Sequence, residues 1–159
     1  MKFFTVVCLL ITLSSSIQAQ NDRQAAEAFG LAIVQSFFDN NCDFMFDNLA
    51  PTVTSFEGGH QVAITPEVRK VFCSESPLRP DMPVTYQMYL DNYKPKIYSK
   101  SEFAQKFPEW DAHLNLQADD FFFDGANPIA AGNTRVFRAG DMARFALRKI
   151  NGEWTIIAI

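Results

Sequence analysis

The chain has 159 residues, with 14 basic and 18 acidic side chains and a formal net charge of −4. The basic residues are scattered along the chain, which argues against nucleic acid or anionic lipid as a partner. The sequence contains 16 Phe, and because each buried ring removes a large apolar area from water, it predicts an aromatic-rich core or a cavity lined with rings.

Residues 1–19 have the layout of a secretory signal peptide. One basic residue precedes an apolar run (residues 3–13), and small polar residues then lead to Ala19. This order predicts cleavage between Ala19 and Gln20 and export to the periplasm or the exterior. Since the apolar run is too short to cross about 30 Å of hydrocarbon, no membrane insertion is expected after cleavage. Residues 20–159 are then expected to form a single domain, because their number suits one hydrophobic core.

Two cysteines, Cys42 and Cys73, lie beyond the predicted signal peptide. In an exported protein, a lone pair of cysteines favours one disulfide, here closing a loop of about thirty residues. Such a link typically stabilises a fold by about 2–4 kcal/mol. Two unpaired, buried thiols are the alternative.

Two helices are predicted near the start of the domain. The segment RQAAEAFGLAIVQSFFD repeats its apolar residues at helical spacing and is followed by Asn40-Asn41, which interrupts the pattern. A short second helix, CDFMFDNLA, comes next and is expected to end at Pro51.

The period then changes to that of strands. Thr52–Glu57 and His60–Ile64 flank Gly58-Gly59, an arrangement that predicts a hairpin. Thr65-Pro66-Glu67 has the residue order of a helix start, so a third helix is predicted up to Cys73. Ser74–Pro83 contains three prolines and is predicted to be a loop.

Alternating apolar and polar residues in the middle of the chain favour strands. The predicted elements there are a strand within Val84–Tyr98, a short helix over Ser99–Phe107 stopped by Pro108, a half-buried strand from His113 to Phe123, a turn at Asp124-Gly125 and a strand at Thr134–Arg138.

The closing segment MARFALRKINGEWTIIAI contains Asn151-Gly152, the strongest short signal for a hairpin. A two-residue turn predicts that Lys149 lies opposite Trp154, Leu147 opposite Ile156 and Phe145 opposite Ala158, which together form the core face. The other face would pair Arg148 with Thr155, Ala146 with Ile157 and Arg144 with Ile159. Because no helix is predicted after Phe107 to cover this half-apolar face, a homodimer through the hairpin is the expected cover.

The opening AAEAFGLAIVQSFFDNNCDFMFDNLAP and the closing Gly152-Glu153-Trp154 resemble an exported bacterial member of the NTF2-like superfamily, also called SnoaL-like or cystatin-like. The resemblance implies an α+β fold in which N-terminal helices pack on a strongly curved antiparallel sheet, a cone that ends in a long hairpin. The family has no invariant catalytic motif, so the resemblance bears on fold more than on function.

Three residues are candidates for a site. Asp120 has the same strand parity as the apolar Leu114, Leu116 and Phe122, and a carboxylate facing a core is costly unless it is paired, hydrated or neutral. The alternative is a bulge that turns Asp120 to solvent. Tyr86 is a candidate hydrogen-bond donor to a ligand, or an ordinary strand aromatic. His113 belongs to a predicted polar strand face. This face is either the wall of a pocket or the solvent-exposed side of a half-buried sheet.

No nucleophile, zinc or phosphate-binding motif is present in the sequence, so no metal and no cofactor are expected. The favoured function is a non-catalytic exported domain that binds a small apolar ligand or a protein partner. The alternative is a proton-transfer enzyme, an isomerase, dehydratase or hydrolase, with Asp120 as general base and Tyr86 as electrophilic helper.

Overall fold

A computed structural model of the chain describes residues 2–74, 85–126 and 143–159, with side chains from residue 17 onward. The elements of this part of the chain are, in order, α1 (Lys2–Phe38), α2 (Cys42–Asp47), β1 (Leu49–Thr54), β2 (Gln61–Ala63), α3 (Pro66–Ser74), α4 (Tyr86–Asn92), β3 (Lys96–Ser99), α5 (Lys100–Lys106), α6 (Pro108–Leu114), β4 (Phe121–Asp124), β5 (Arg144–Ile150) and β6 (Glu153–Ala158).

The predicted first helix is confirmed and forms the C-terminal half of α1. Its buried stripe consists of Ala26, Ile33, Val34 and Phe37, and the chain leaves the helix through Asn40, whose φ is 54°. That left-handed conformation is one that asparagine tolerates better than most residues. Within the described ranges, no helix combines the length and the apolarity needed to cross a membrane.

The second helix is shorter than predicted. It ends at Asp47 with Asn48 as its C-cap, and Pro51 lies inside β1 instead of ending a helix. A strand tolerates proline at a position where the backbone needs to provide only a hydrogen-bond acceptor. At Pro51 the carbonyl is that acceptor, since it receives the N–H of Ile64 at 2.9 Å. The hairpin around Gly58-Gly59 is confirmed, because β1 pairs antiparallel with β2, but its strands end at Thr54 and begin again at Gln61, so the link is longer than the two glycines.

The described strands form one open sheet in the order β2-β1-β6-β5-β4-β3. Neighbours are antiparallel except for β1 and β6, which run parallel. The predicted α+β class is therefore confirmed, with a mixed rather than purely antiparallel sheet. This sheet is not strongly curled or closed, so the cone shape stays a prediction.

Two strand predictions in the middle of the chain are wrong. Tyr86–Asn92 is helix α4, capped by the Thr85 side chain, which accepts from the N–H of Met88. Tyr86, Met88 and Leu90 alternate as in a strand, whereas Tyr86, Tyr89 and Tyr93 recur at helical spacing, and the Thr85 cap decides for the helix. Of the predicted segment, only Lys96–Ser99 is a strand, β3.

The segment from His113 onward also differs from the prediction. Ser99 caps the expected α5 through a capping box, but Pro108 then starts α6 instead of leading into a strand, since proline fits the first turn of a helix. His113 lies in the last turn of α6, and Asn115, with a φ of 46°, turns the chain away from the helix. The strand begins only at Phe121.

The register predicted for the closing hairpin holds next to its turn. Leu147 lies opposite Ile156, and Lys149 lies opposite Trp154. An irregularity between Ala146 and Leu147 then shifts the pairing, so that Ala158 lies opposite Ala146 instead of Phe145. A bulge of this kind moves the following side chains to the other face of the sheet.

Each face of the sheet is covered by helices. We call first face the one that carries Phe145, Leu147 and Ile156; it packs against α1 and α4. We call second face the one that carries Phe122, Ala146 and Ala158; it packs against side chains of α5 and α6.

The expectation that no helix covers the second face is therefore wrong. Ile157, predicted at the centre of a dimer contact, packs against the cluster of that face. The helices that cover it come from Lys100–Leu114, and the sequence pattern predicts only the first of them. The homodimer is predicted from an uncovered second face. Because helices cover that face, this argument no longer supports the homodimer, which stays a prediction. Of the loop predicted over Ser74–Pro83, Ser74 belongs to α3, and the rest, like the predicted strand at Thr134–Arg138, lies outside the described residues.

Candidate functional site

Asp120 is bound on both of its oxygens. Nε of Arg148 donates to Oδ1 at 2.9 Å, and Nη2 of the same guanidinium donates to Oδ2 at 2.6 Å. The backbone N–H of Gln117 donates to Oδ2 at 2.8 Å. The side chain of Asp120 is 1% exposed and that of Arg148 is 28% exposed. The bulge predicted to turn Asp120 to solvent is absent from this described segment.

Strand pairing explains why these two residues meet. Phe122 lies opposite Ala146 in an antiparallel pair, so Asp120, two residues before Phe122, faces Arg148, two residues after Ala146. The parity of Asp120 predicts that it faces the core, away from the face on which the hairpin register puts Arg148, and this part of the prediction is wrong. Phe122 lies on the second face with Ala146.

The pair has the arrangement of a structural ion pair. Asp120 also closes the turn before β4, because its own N–H donates to the Gln117 carbonyl at 3.1 Å. The hydrogen bond to Asp120 raises the pKa of Arg148 above its ordinary value. Both oxygens of this buried carboxylate already accept hydrogen bonds within the fold, which leaves little access for a substrate.

A second ion pair of the same kind lies on the second face. Nε of Arg144 donates to Oδ1 of Asp124 at 3.1 Å, and the Asp124 side chain is 5% exposed. The Arg144 guanidinium also lies over the Trp110 ring, 5.7 Å from its centroid. The two ion pairs therefore flank Phe122, which packs among the aromatic rings of α5 and α6.

Tyr86 lies at one end of a column of rings on the first face. It stacks on Tyr89 at 6.0 Å, and Tyr89 stacks on Tyr93 at 5.2 Å. Phe38 of α1 contacts both Tyr86 and Tyr89. The Tyr89 hydroxyl donates to the Gly125 carbonyl at 2.7 Å.

Burial perturbs the pKa of two tyrosines in this column. It raises the pKa of Tyr86 and, further, that of Tyr89, above the ordinary value near 10. Both hydroxyls are therefore protonated donors at neutral pH. Tyr86, unlike Tyr89, is only half-buried.

The structure does not bring the predicted catalytic residues together. Tyr86 belongs to the first face, with Phe121 and Leu147, whereas Asp120 and its partner Arg148 follow the parity of the second face. A sheet layer separates the carboxylate from the tyrosine hydroxyl, so one substrate atom cannot contact both groups.

His113 is exposed and lies beside Gly59, where an added Cβ would be 2.8 Å from the His113 Cβ. The polar residues predicted to share its strand face are exposed residues of a helix end and a turn. His60, next to Gly59, is exposed as well. Among the residues described, no three His, Cys, Asp or Glu side chains are grouped so as to hold a metal ion.

Cys42 and Cys73 are joined as a disulfide, with their Cα atoms 5.8 Å apart, so this prediction is confirmed. The link connects the start of α2 to the end of α3. It matters because α3 has no fully buried residue of its own. Phe72 packs on Phe46 with ring centroids 5.4 Å apart, and Arg69 bridges the carboxylates of α2.

Arg148 and Arg144 are not predicted from the sequence as partners of the buried carboxylates. The signal is present in the spacing, because Asp120 and Asp124 are four apart, as are Arg144 and Arg148. Antiparallel pairing about Phe122 and Ala146 matches these residues one to one.

No protein-family model, no curated protein and no solved structure matches the chain. The NTF2-like resemblance accordingly stays a prediction. Fold and site together define a class: an α+β domain whose buried carboxylates are bound in ion pairs.

Proposed function

We propose that the chain is an exported, non-catalytic domain of NTF2-like type that binds a small apolar or amphipathic ligand. The observation that carries the proposal is the state of Asp120, whose two oxygens are bound by Arg148 and by a backbone N–H. A general base needs an oxygen within reach of a substrate proton, and this carboxylate has both oxygens bound within the fold.

Tyr86 is the residue that we assign to ligand binding. It ends an aromatic column, remains half-buried, and carries a hydroxyl whose pKa is raised by burial alone. A half-buried ring beside Phe38 offers apolar contact, and a protonated hydroxyl offers a hydrogen bond to a carbonyl or alcohol. Since the chain is acidic, an uncharged ligand fits it better than an anionic one.

The uncharged dye Nile red tests this assignment, because its fluorescence rises in apolar surroundings and its ring carbonyl accepts hydrogen bonds. We expect saturable binding to the folded domain. Tyr86→Phe keeps the ring and removes one hydrogen bond, which is worth about 1 kcal/mol, so affinity should fall roughly fivefold.

Tyr98→Phe is the matched control. Tyr98 is also half-buried, but it packs in the cluster of the second face and accepts from Lys106 at 2.5 Å. Its loss should leave Nile red affinity unchanged while circular dichroism confirms that both variants are folded. Absence of saturable binding, or equal losses in the two variants, would overturn the assignment to Tyr86.

A protein partner, including a second copy of the chain, is the other occupant to separate from a small ligand. Sedimentation of the same samples distinguishes the two, because a ligand-binding monomer keeps its mass when the dye binds. Displacement of the dye upon self-association would instead locate the apolar site in an interface.

A further inference from the structure

The disulfide closes a loop from Cys42 to Cys73, and the elements inside this loop are attached to the rest of the fold unequally. α2 buries Met45 and Phe46 in the cluster of the first face. β1 pairs with β2 on one side and with β6 on the other. In the part of the chain that the structure describes, α3 contributes no buried residue and takes no part in the sheet.

The non-covalent contacts of α3 are weak. Phe72 is half-buried and packs on Phe46, with ring centroids 5.4 Å apart. Arg69 pairs with Asp43 and with Asp47, but these carboxylates are 77% and 64% exposed, and ion pairs so exposed to water contribute little to stability. A helix of nine residues is also too short to persist alone in water. Among the contacts described for α3, the covalent bridge is therefore the strongest.

We propose that the Cys42–Cys73 disulfide is a redox switch, which holds α3 in place when oxidised and releases it when a dithiol reduces the bridge. One thiolate of the dithiol attacks a sulfur of the bridge, so a mixed disulfide forms and the bond between the two cysteines breaks. The second thiolate then attacks the mixed disulfide and frees the remaining cysteine. The dithiol leaves as its own disulfide, and its two electrons and two protons end on Cys42 and Cys73.

The bridge is accessible to such a reductant. Cys42 and Cys73 are both half-exposed, and their neighbours Asn41, Asp43 and Ser74 are exposed. Thiol–disulfide exchange requires access to a sulfur atom, and exposed bridges are the ones that exchange most readily. A dithiol can therefore reach this bridge while the core stays folded.

Release of α3 changes the surface of the domain. Phe46 is 6% exposed in the oxidised protein, and the ring of Phe72 packs on it. When α3 leaves, Phe46 loses this contact. Because Phe46 belongs to the cluster of the first face, the reduced protein presents apolar surface that the oxidised protein hides.

Hydrogen exchange of the full chain, measured by mass spectrometry with and without dithiothreitol, tests the proposal. We expect the amides of α3 to exchange roughly a hundredfold faster after reduction, which is the effect of a typical loop-closing disulfide on an opening equilibrium. The hairpin of β5 and β6 should keep its protection. Unchanged protection of α3 in the reduced protein would overturn the proposal, and so would an equal loss in the hairpin, because the bridge would then stabilise the whole fold. Tyr86 takes no part in this measurement, so the proposed function is judged separately.

Two variants serve as controls. The double variant Cys42→Ala, Cys73→Ala should exchange like the reduced protein and should not respond to dithiothreitol; a response would place the effect of the reductant outside the bridge and contradict the switch. Phe72→Ala keeps the bridge and removes the ring contact, so α3 should stay protected until the reductant is added. Release of α3 in oxidised Phe72→Ala would show that packing holds the helix, and the switch would be wrong.

Discussion

Gly30→Ala is expected to destabilise the fold, although alanine is the better helix former. Gly30 lies inside α1 and is buried. A Cβ there would lie 2.2 Å from Cδ2 and 2.5 Å from Cγ of Phe123, whereas carbon atoms in contact sit about 3.5–4.0 Å apart. Phe123 is fully buried and stacks on Phe145 with centroids 5.7 Å apart. The ring therefore has little room to retreat.

Two opposing free-energy contributions decide whether Gly30→Ala stabilises or destabilises the fold. Alanine gains about 1 kcal/mol over glycine in a helix interior, and forcing a methyl group into a packed core costs about 1–3 kcal/mol. The methyl carbon would lie more than about 1 Å inside the normal carbon–carbon contact distance. The cost of inserting it is therefore at the upper end of this range. We expect a net loss of about 2 kcal/mol in the free energy of unfolding, measured by urea denaturation.

Two controls make the test specific. Ala28→Gly changes an exposed position of the same helix and should cost about 1 kcal/mol through propensity alone. Phe123→Ala removes both clashing atoms, so Gly30→Ala should cost less in that background, which a double-mutant cycle measures. A more stable Gly30→Ala protein, or the same cost in both backgrounds, would refute the reasoning.

Three further predictions concern the ion pair, the disulfide and the tyrosine column. Arg148→Met should cost about 3–5 kcal/mol because it leaves the Asp120 carboxylate buried without its cation; adding Asp120→Asn should recover much of this in urea denaturation, and additive losses would contradict the pairing. Cys73→Ser should cost about 3 kcal/mol by releasing the loop and should match the reduced wild type, whereas a difference between those two proteins would mean that the thiol itself stabilises the fold. Stability should fall above about pH 10, because burial raises the pKa of Tyr89 and the unfolded chain loses its proton first; Tyr89→Phe should flatten this slope in alkaline denaturation, and an unchanged slope would exclude Tyr89 as its source.

Where a feature depends on neighbouring residues, the sequence predicts it well. The register beside Asn151-Gly152 follows from the turn alone, since a two-residue link with positive φ at both positions allows one pairing. The helix starts at Thr65-Pro66 and Ser99 follow equally from local hydrogen bonds. The disulfide is predictable too, because the two cysteines beyond the predicted signal peptide leave one possible intramolecular pair.

Local patterns fail where two structures use the same spacing. Tyr86, Met88 and Leu90 alternate as in a strand, yet Tyr86 and Tyr89 lie three residues apart and stack along one helix. Periodicity over so short a run does not separate the two cases. In the same way, a proline that follows a helical pattern does not indicate which element comes next, since Pro51 lies in a strand and Pro108 begins another helix.

By itself, then, the sequence determined the α+β class, the first helix, both glycine-containing hairpins and the cysteine pair, since each depends on local geometry or on simple counting. The tertiary structure alone decided that α5 and α6 cover the second face and that Asp120 meets Arg148. Both depend on which strand lies beside which and in what register. Strand pairing joins residues far apart in the chain, and only the packed sheet fixes whether a charged side chain meets its counterion or solvent.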